Sequence, residues 1–265
     1  MTAIADKLFV ILQRDLLTAV RHRAGFLMTL AGVLIEVTAF YYLSRAVGPG
    51  FRPDGVEFFP FLLVGTGLYT FFVMSAQSFL SAIQEAQQTG TLEVLMSTST
   101  PPAQLLILSA ISAFAGNLVN LVVYVLAGEA IFRAPIHANL LSCAIVLALS
   151  IVIAVACGII AATFQLAMQR GSALIWLLGS MWFLSGTMFP VDSLPRPLAV
   201  LARGVPFTYA IDGMRGALID GRPVTAMGPT VGALALFALV MLPVALGGFS
   251  VSLRRARQAG TLSLY

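Results

Sequence analysis

The sequence predicts an all-α integral membrane protein. It has six transmembrane helices, an N-terminal amphipathic helix at the interface, and short re-entrant helices between spans five and six. Three observations lead there. Of 265 residues, 59% are apolar or aromatic and 10% charged, against about 25% charged in a soluble domain. The apolar residues fall into six runs, each near the roughly 20 residues that cross a bilayer core. Pro and Gly residues divide the stretch after the fifth run into apolar pieces too short to span. A water-soluble globule, a disordered chain and a nucleic-acid-binding domain are excluded together, and the residues present hold about six spans without a large soluble domain. The formal charge is +4, with Lys7 the only lysine and all other basic residues Arg. In such a chain basic residues set orientation first.

Residues 3–23 form the interfacial helix. At about 100° per residue Ile4, Leu8, Leu12, Leu16 and Val20 share one arc, and Lys7, Arg14 and Arg21 line the other side. The basic face suits anionic head groups; a basic flank that merely fixes topology reads the same way. Glu36 within the next run, and the absence of a small-residue cleavage pattern, argue against a cleaved signal peptide. The spans are expected at Ala24–Ser44, Phe58–Ile83, Ala103–Ile131, Leu140–Leu166, Gly171–Phe189 and Thr230–Leu253, with a kink or loosened backbone at Pro243 and Gly247-Gly248. The whole chain, 1–265, reads as one transmembrane domain, with its six-span bundle over 24–253. Eight basic residues flank one side in the short connections and three the other, which places both termini in the cytoplasm of a cell-membrane protein.

Two connections carry more than linkage. Residues 84–102, on the cytoplasmic side, read QEAQQTGTLEVLMSTSTPP: no basic residue, the carboxylates Glu85 and Glu93, and a Gly90-Thr91 break. Thr91–Met96 suits a short amphipathic helix offered to a protein partner, or equally an interfacial loop dipping into lipid. Residues 190–228, on the outer side, divide into helical pieces at Leu198–Arg203 and Tyr209–Asp220, joined through Gly204-Val205-Pro206. Half-helices at membrane depth require protein packing or a cavity beside them. Asp212 and Arg215, at i and i+3, have the spacing of a local ion pair.

Some chemistry is missing. Lys7 has no glycine before it, so no phosphate-cradling G-x-x-x-x-G-K-[ST] loop exists. His22 and His137 flank different runs and read as loop residues rather than metal ligands, and no metal or cofactor is expected. Cys143 and Cys157 read as small core residues, about 21 Å apart along one helix. Polar groups inside spans are the functional candidates. Asn117, Asn120 and Tyr124 share one face of span three, and Glu36 sits mid-span in the first run. Such a face lines a polar path or bonds helix to helix. Ala154, Gly158 and Ala162 form a small-residue stripe suited to close helix packing.

With these residues in view, the chain resembles the type-2 permease subunits of ABC transporters, the membrane halves of drug, antibiotic, polysaccharide and glycolipid exporters. The likeness rests on Gly90-Thr91-Leu92-Glu93, on LSGTMFPVDSLP (Leu184–Pro195) and on VPFTYAIDGMR (Val205–Arg215), in that order around six spans. The resemblance implies that Glu85, Gly90, Thr91, Leu92 and Glu93 belong to a coupling helix docking on a separate ATPase subunit. It implies that Pro190, Pro195, Pro206, Asp212 and Arg215 mark the extracellular re-entrant motif. It also implies a second permease copy beside this one, with substrate passing between the two, and no ATP hydrolysis by the chain itself. Family members often carry an Arg before Gly-Thr-Leu-Glu, where this chain has Ala86-Gln87-Gln88, and a single Ser/Thr-Pro after it, where this chain has Thr100-Pro101-Pro102. Glu93 is then the main candidate contact. The alternative is an ATPase-independent secondary transporter or channel, which calls for paired intramembrane charges; a third reading is a subunit that anchors or senses.

Overall fold

The computed structural model describes residues 23–89, 102–168 and 171–259. The interfacial helix expected at 3–23, except Arg23, and the residues Gly90–Glu93 lie outside the described residues. Eight α-helices are present among them and no strand. In chain order they are α1 (Arg23–Val47), α2 (Phe58–Gln88), α3 (Pro102–Phe132), α4 (Leu140–Met168), α5 (Gly171–Ser180), α6 (Arg196–Arg203), α7 (Pro206–Leu218) and α8 (Gly228–Ala259). Short 3-10 turns at Pro53–Gly55, Val191–Ser193 and Val224–Met227 join them. Within α1, α2, α3, α4 and α8 lie segments long and apolar enough to cross a membrane.

Three boundaries differ from the sequence expectation. The segment from Gln84 to Gln88 is the last turn of α2, not the start of a loop, and the helix ends at Thr89, whose N–H and hydroxyl both donate to the Glu85 carbonyl, at 2.9 and 2.8 Å. Gln, Glu and Ala are good helix formers, so nothing in this polar stretch stops the helix. The fifth apolar run is regular only through Ser180; turns follow as far as Gly186. Ten residues rise about 15 Å, half a hydrocarbon core. Finally, α8 runs unbroken in helical backbone through Pro243 and on to Ala259.

Packing is centred on α2, which touches α1, α3, α4, α5 and α7. It is less apolar than α4 or α8, yet its span is by far the most buried, while α1 and α8 are mostly exposed. In lipid the hydrophobic effect does not drive helices together; close van der Waals packing and polar groups do. The inner helix accordingly carries Gly65, Thr66, Gly67 and Ser75, all buried. The small-residue stripe of α4 performs as expected: Ala154, Gly158 and Ala162 are buried, and a methyl on Gly158 would strike the Phe79 ring of α2. Both cysteines are unpaired, Cys157 buried and Cys143 half-buried. Where α4 starts, the Asn139 side-chain oxygen accepts from the Ser142 N–H at 3.2 Å, an N-cap. The same loop closes the end of α7, with His137 N–H donating to the Leu218 carbonyl and Asn139 N–H to that of Ala217. His137 is thus a loop residue.

Candidate functional site

The chain after α5 folds onto the bundle as the Pro and Gly pattern predicts. Pro206 opens α7 at its first turn, a position that needs no N–H donor. Its Phe207, Ala210, Ile211, Met214 and Ala217 are buried against α2, α4 and α8. Helix α6 stays exposed, with Pro195 at its N-cap, and is tied down by polar contacts. The Thr208 hydroxyl donates to the Ala202 carbonyl at 2.8 Å, and the Tyr209 hydroxyl to that of Arg203 at 2.9 Å. Arg203 pairs with Asp192 at 3.0 Å beside Pro190.

Arg215 is where the structure corrects the sequence. The expected local pair with Asp212 does not form. The Arg215 guanidinium instead turns inward and donates to three backbone carbonyls: Phe61 (2.9 and 3.2 Å), Gly186 (2.8 Å) and Thr187 (2.9 Å). Its carbon centre stacks 3.3 Å from the centre of the Phe61 ring. The guanidinium fork presents five donors in one plane, and the carbonyls of a chain that has left helical geometry are acceptors without helical partners. Gly65 makes room, since a methyl there would collide with the guanidinium and the Thr187 backbone. Burial pushes the Arg215 pKa down to about 9, opposed by Asp212 and Asp54, so it is charged at neutral pH. Burial likewise holds the Asp54 carboxyl above the usual range, with Arg215 acting to lower it and Asp212 and Asp192 to raise it. Asp212 itself is exposed and faces the Thr230 hydroxyl at 3.4 Å.

A second polar centre lies between α1, α2 and α3. Glu36, Asn117, Asn120 and Tyr124 line one cavity of about 200 Å³, together with Thr70 and Phe71. Burial of Val37 beside Phe59, Leu63 and Tyr124 fixes the face that α1 turns inward, and Glu36 follows one position away. Asn117 bridges helices, its amide donating to the Ser78 hydroxyl at 3.0 Å. The Tyr124 ring packs against Gly67, where a methyl would come within 2.8 Å of it. Its hydroxyl is buried and has no partner among the described residues.

At the C-terminal end of α2, Glu85 is exposed on the last turn. Two residues on, Gln87 is buried and its side-chain oxygen accepts from the Gln165 amide of α4 at 3.1 Å. The sequence reading missed this pair. Its signal was available: two uncharged amides near the C-terminal ends of two long apolar runs. A larger cavity of about 520 Å³ opens between α4 and α8, lined by Thr163, Gly247, Gly248, Ser252 and Arg255 among others.

A bundle of long apolar helices packed about one buried helix, with short helices held against it through an arginine, defines a polytopic helical membrane protein. Residues 6–219 match the model of the ABC-2 type transporter family. The chain belongs to that family and is a membrane component of a transporter. It is also similar to nodulation protein J of Rhizobium leguminosarum bv. trifolii, with 40% identity over 58 residues. That match spans 22% of this chain and 22% of that protein.

Proposed function

We propose that this chain is the membrane-spanning permease subunit of an ATP-driven exporter, that it lines the substrate path as a dimer, and that separate ATPase subunits drive it. Family membership carries the reading, and the sequence adds to it: with Lys7 the only lysine and no glycine before it, a P-loop in this chain is excluded. The irregular stretch after α5 completes a fifth crossing, which gives six spans with both termini in the cytoplasm. Helices α6 and α7, with Pro190, Pro195 and Pro206 at their joints, form re-entrant pieces on the outer face.

The geometry supports a mechanical route. The loop bearing Gly90, Thr91, Leu92 and Glu93 follows directly on α2, a continuous helix from Phe58 to Gln88, about 45 Å long at 1.5 Å per residue. Force on the loop therefore enters a rod whose far end, at Phe61, is held by Arg215 to the outer helices. Sliding or tilting of packed helices is a recognised form of switching. Glu36, Asn117, Asn120 and Tyr124, gathered on one cavity, are the candidates for substrate contact.

Glu93→Lys in the full chain, co-expressed with its ATPase, tests the coupling. Insertion and dimerisation should be unchanged, and substrate-stimulated ATP hydrolysis should fall to the basal rate. Full stimulation and transport in that variant would remove Glu93 from the coupling contact.

A further inference from the structure

From the polar groups lining the cavity between α1, α2 and α3, we infer that it receives the ammonium head of a lipophilic amine. The inference rests on the permease reading and names the ligand class of one of its candidate sites. Glu36 is a mid-span carboxylate with no ion pair among the described residues, and a carboxylate at that depth requires a partner or a wet cavity. Tyr124 adds an independent sign. It is 5% exposed, yet its hydroxyl has no partner among the described residues. Buried Ser and Thr hydroxyls can turn back onto their own helix, but a phenol is too long for that. Tyr124 lines the same cavity as Glu36.

The chemistry of the lining selects the occupant. The one donor committed across helices, the Asn117 amide nitrogen, is used on Ser78. Glu36, Asn120, Thr70 and Tyr124 complete the polar part of the lining, and among them Glu36 alone is a carboxylate. An ammonium brings three N–H donors and no acceptor. It gains a charge-assisted bond from Glu36, which a neutral head group does not. Met74 and Asn120, both exposed, mark the open side of the cavity. The head of an amphiphile enters there while its tail stays in the bilayer.

The test uses the full chain in phosphatidylcholine nanodiscs and a long-chain primary amine carrying a photoreactive diazirine, with adducts mapped by mass spectrometry. Adducts should concentrate on Val33–Val37 and Asn117–Tyr124, and unlabelled amine should compete for them. They should fall about tenfold in Glu36→Gln and be retained in Glu36→Asp, which guards against misfolding. Tyr124→Phe should lower labelling by a smaller factor. Equal labelling by the matching long-chain alcohol, or undiminished labelling in Glu36→Gln, would overturn the inference. No ATPase is needed for this measurement, so it stands apart from the exporter reading. Labelling as described, with an amine that leaves ATP hydrolysis of the complex unstimulated, supports the site and counts against the cavity as part of the transport path.

Discussion

The Arg215 guanidinium meets backbone carbonyls far away in the chain, at Phe61, Gly186 and Thr187. A carbonyl left buried without its donor costs about 1–3 kcal/mol. Arg215→Met should therefore destabilise the protein by about 3 kcal/mol, read as a lowered melting temperature in detergent. Arg215→Lys should recover only part, because a compact ammonium cannot span three carbonyls as the fork does. A melting temperature equal to the parent's in both variants would show that the contact is incidental. None of this was legible in the sequence. The spacing of Asp212 and Arg215 suggested a local pair, and backbone acceptors carry no side-chain signature. The converse holds for Glu36, Asn117, Asn120 and Tyr124. Polar residues in apolar runs announce themselves, and helical periodicity put three of them on one face before the structure placed Glu36 opposite.

At the scale of elements, the long helices were readable because length and apolarity coincide, and α6 and α7 because Pro195, Gly204 and Pro206 punctuate them. The break after α5 was not readable, since an unbroken apolar run does not say whether its backbone is helix or turn. Nor was the dominance of α2, the less apolar helix at the centre. Its partnership with α4 rests on fit, and Gly158 under Phe79 is the tightest point named in the stripe. Gly158→Ala should cost about 1–3 kcal/mol by overpacking. Phe79→Leu should relieve part of that cost, giving a favourable coupling energy in a double-mutant cycle of thermal stabilities. Gly232, where an added methyl meets nothing within 4 Å, is the control; Gly232→Ala should leave stability unchanged. Additive costs at Gly158 and Phe79 would mean the two helices are not held by this contact.

For the whole molecule, the question is how motion at one rim reaches the other. The Gln87–Gln165 bond joins α2 to α4 next to the proposed coupling loop, and Arg215 joins α2 to α7 at the opposite end. In an apolar surrounding, an amide–amide bond specifies one relative position of two helices more sharply than dispersion does. Gln87→Leu should leave insertion and assembly intact and lower the ratio of substrate-stimulated to basal ATP hydrolysis several-fold in the reconstituted complex. An unchanged ratio would mean that α4 is not moved through this bond.

The stretch from Met181 to Thr187 has consequences of its own. Backbone that leaves helical geometry within a hydrocarbon layer invites water to solvate it. One side chain from elsewhere in the chain supplies the donors that a continuing helix would have provided, and the Ser185 and Thr187 hydroxyls bond to each other at 2.8 Å. The carbonyls of Gly186 and Thr187 thus depend on a cation contributed by a separate helix. Homologues that lack the arginine should show either α5 continued as regular helix through these residues or a different donor reaching the same two oxygens.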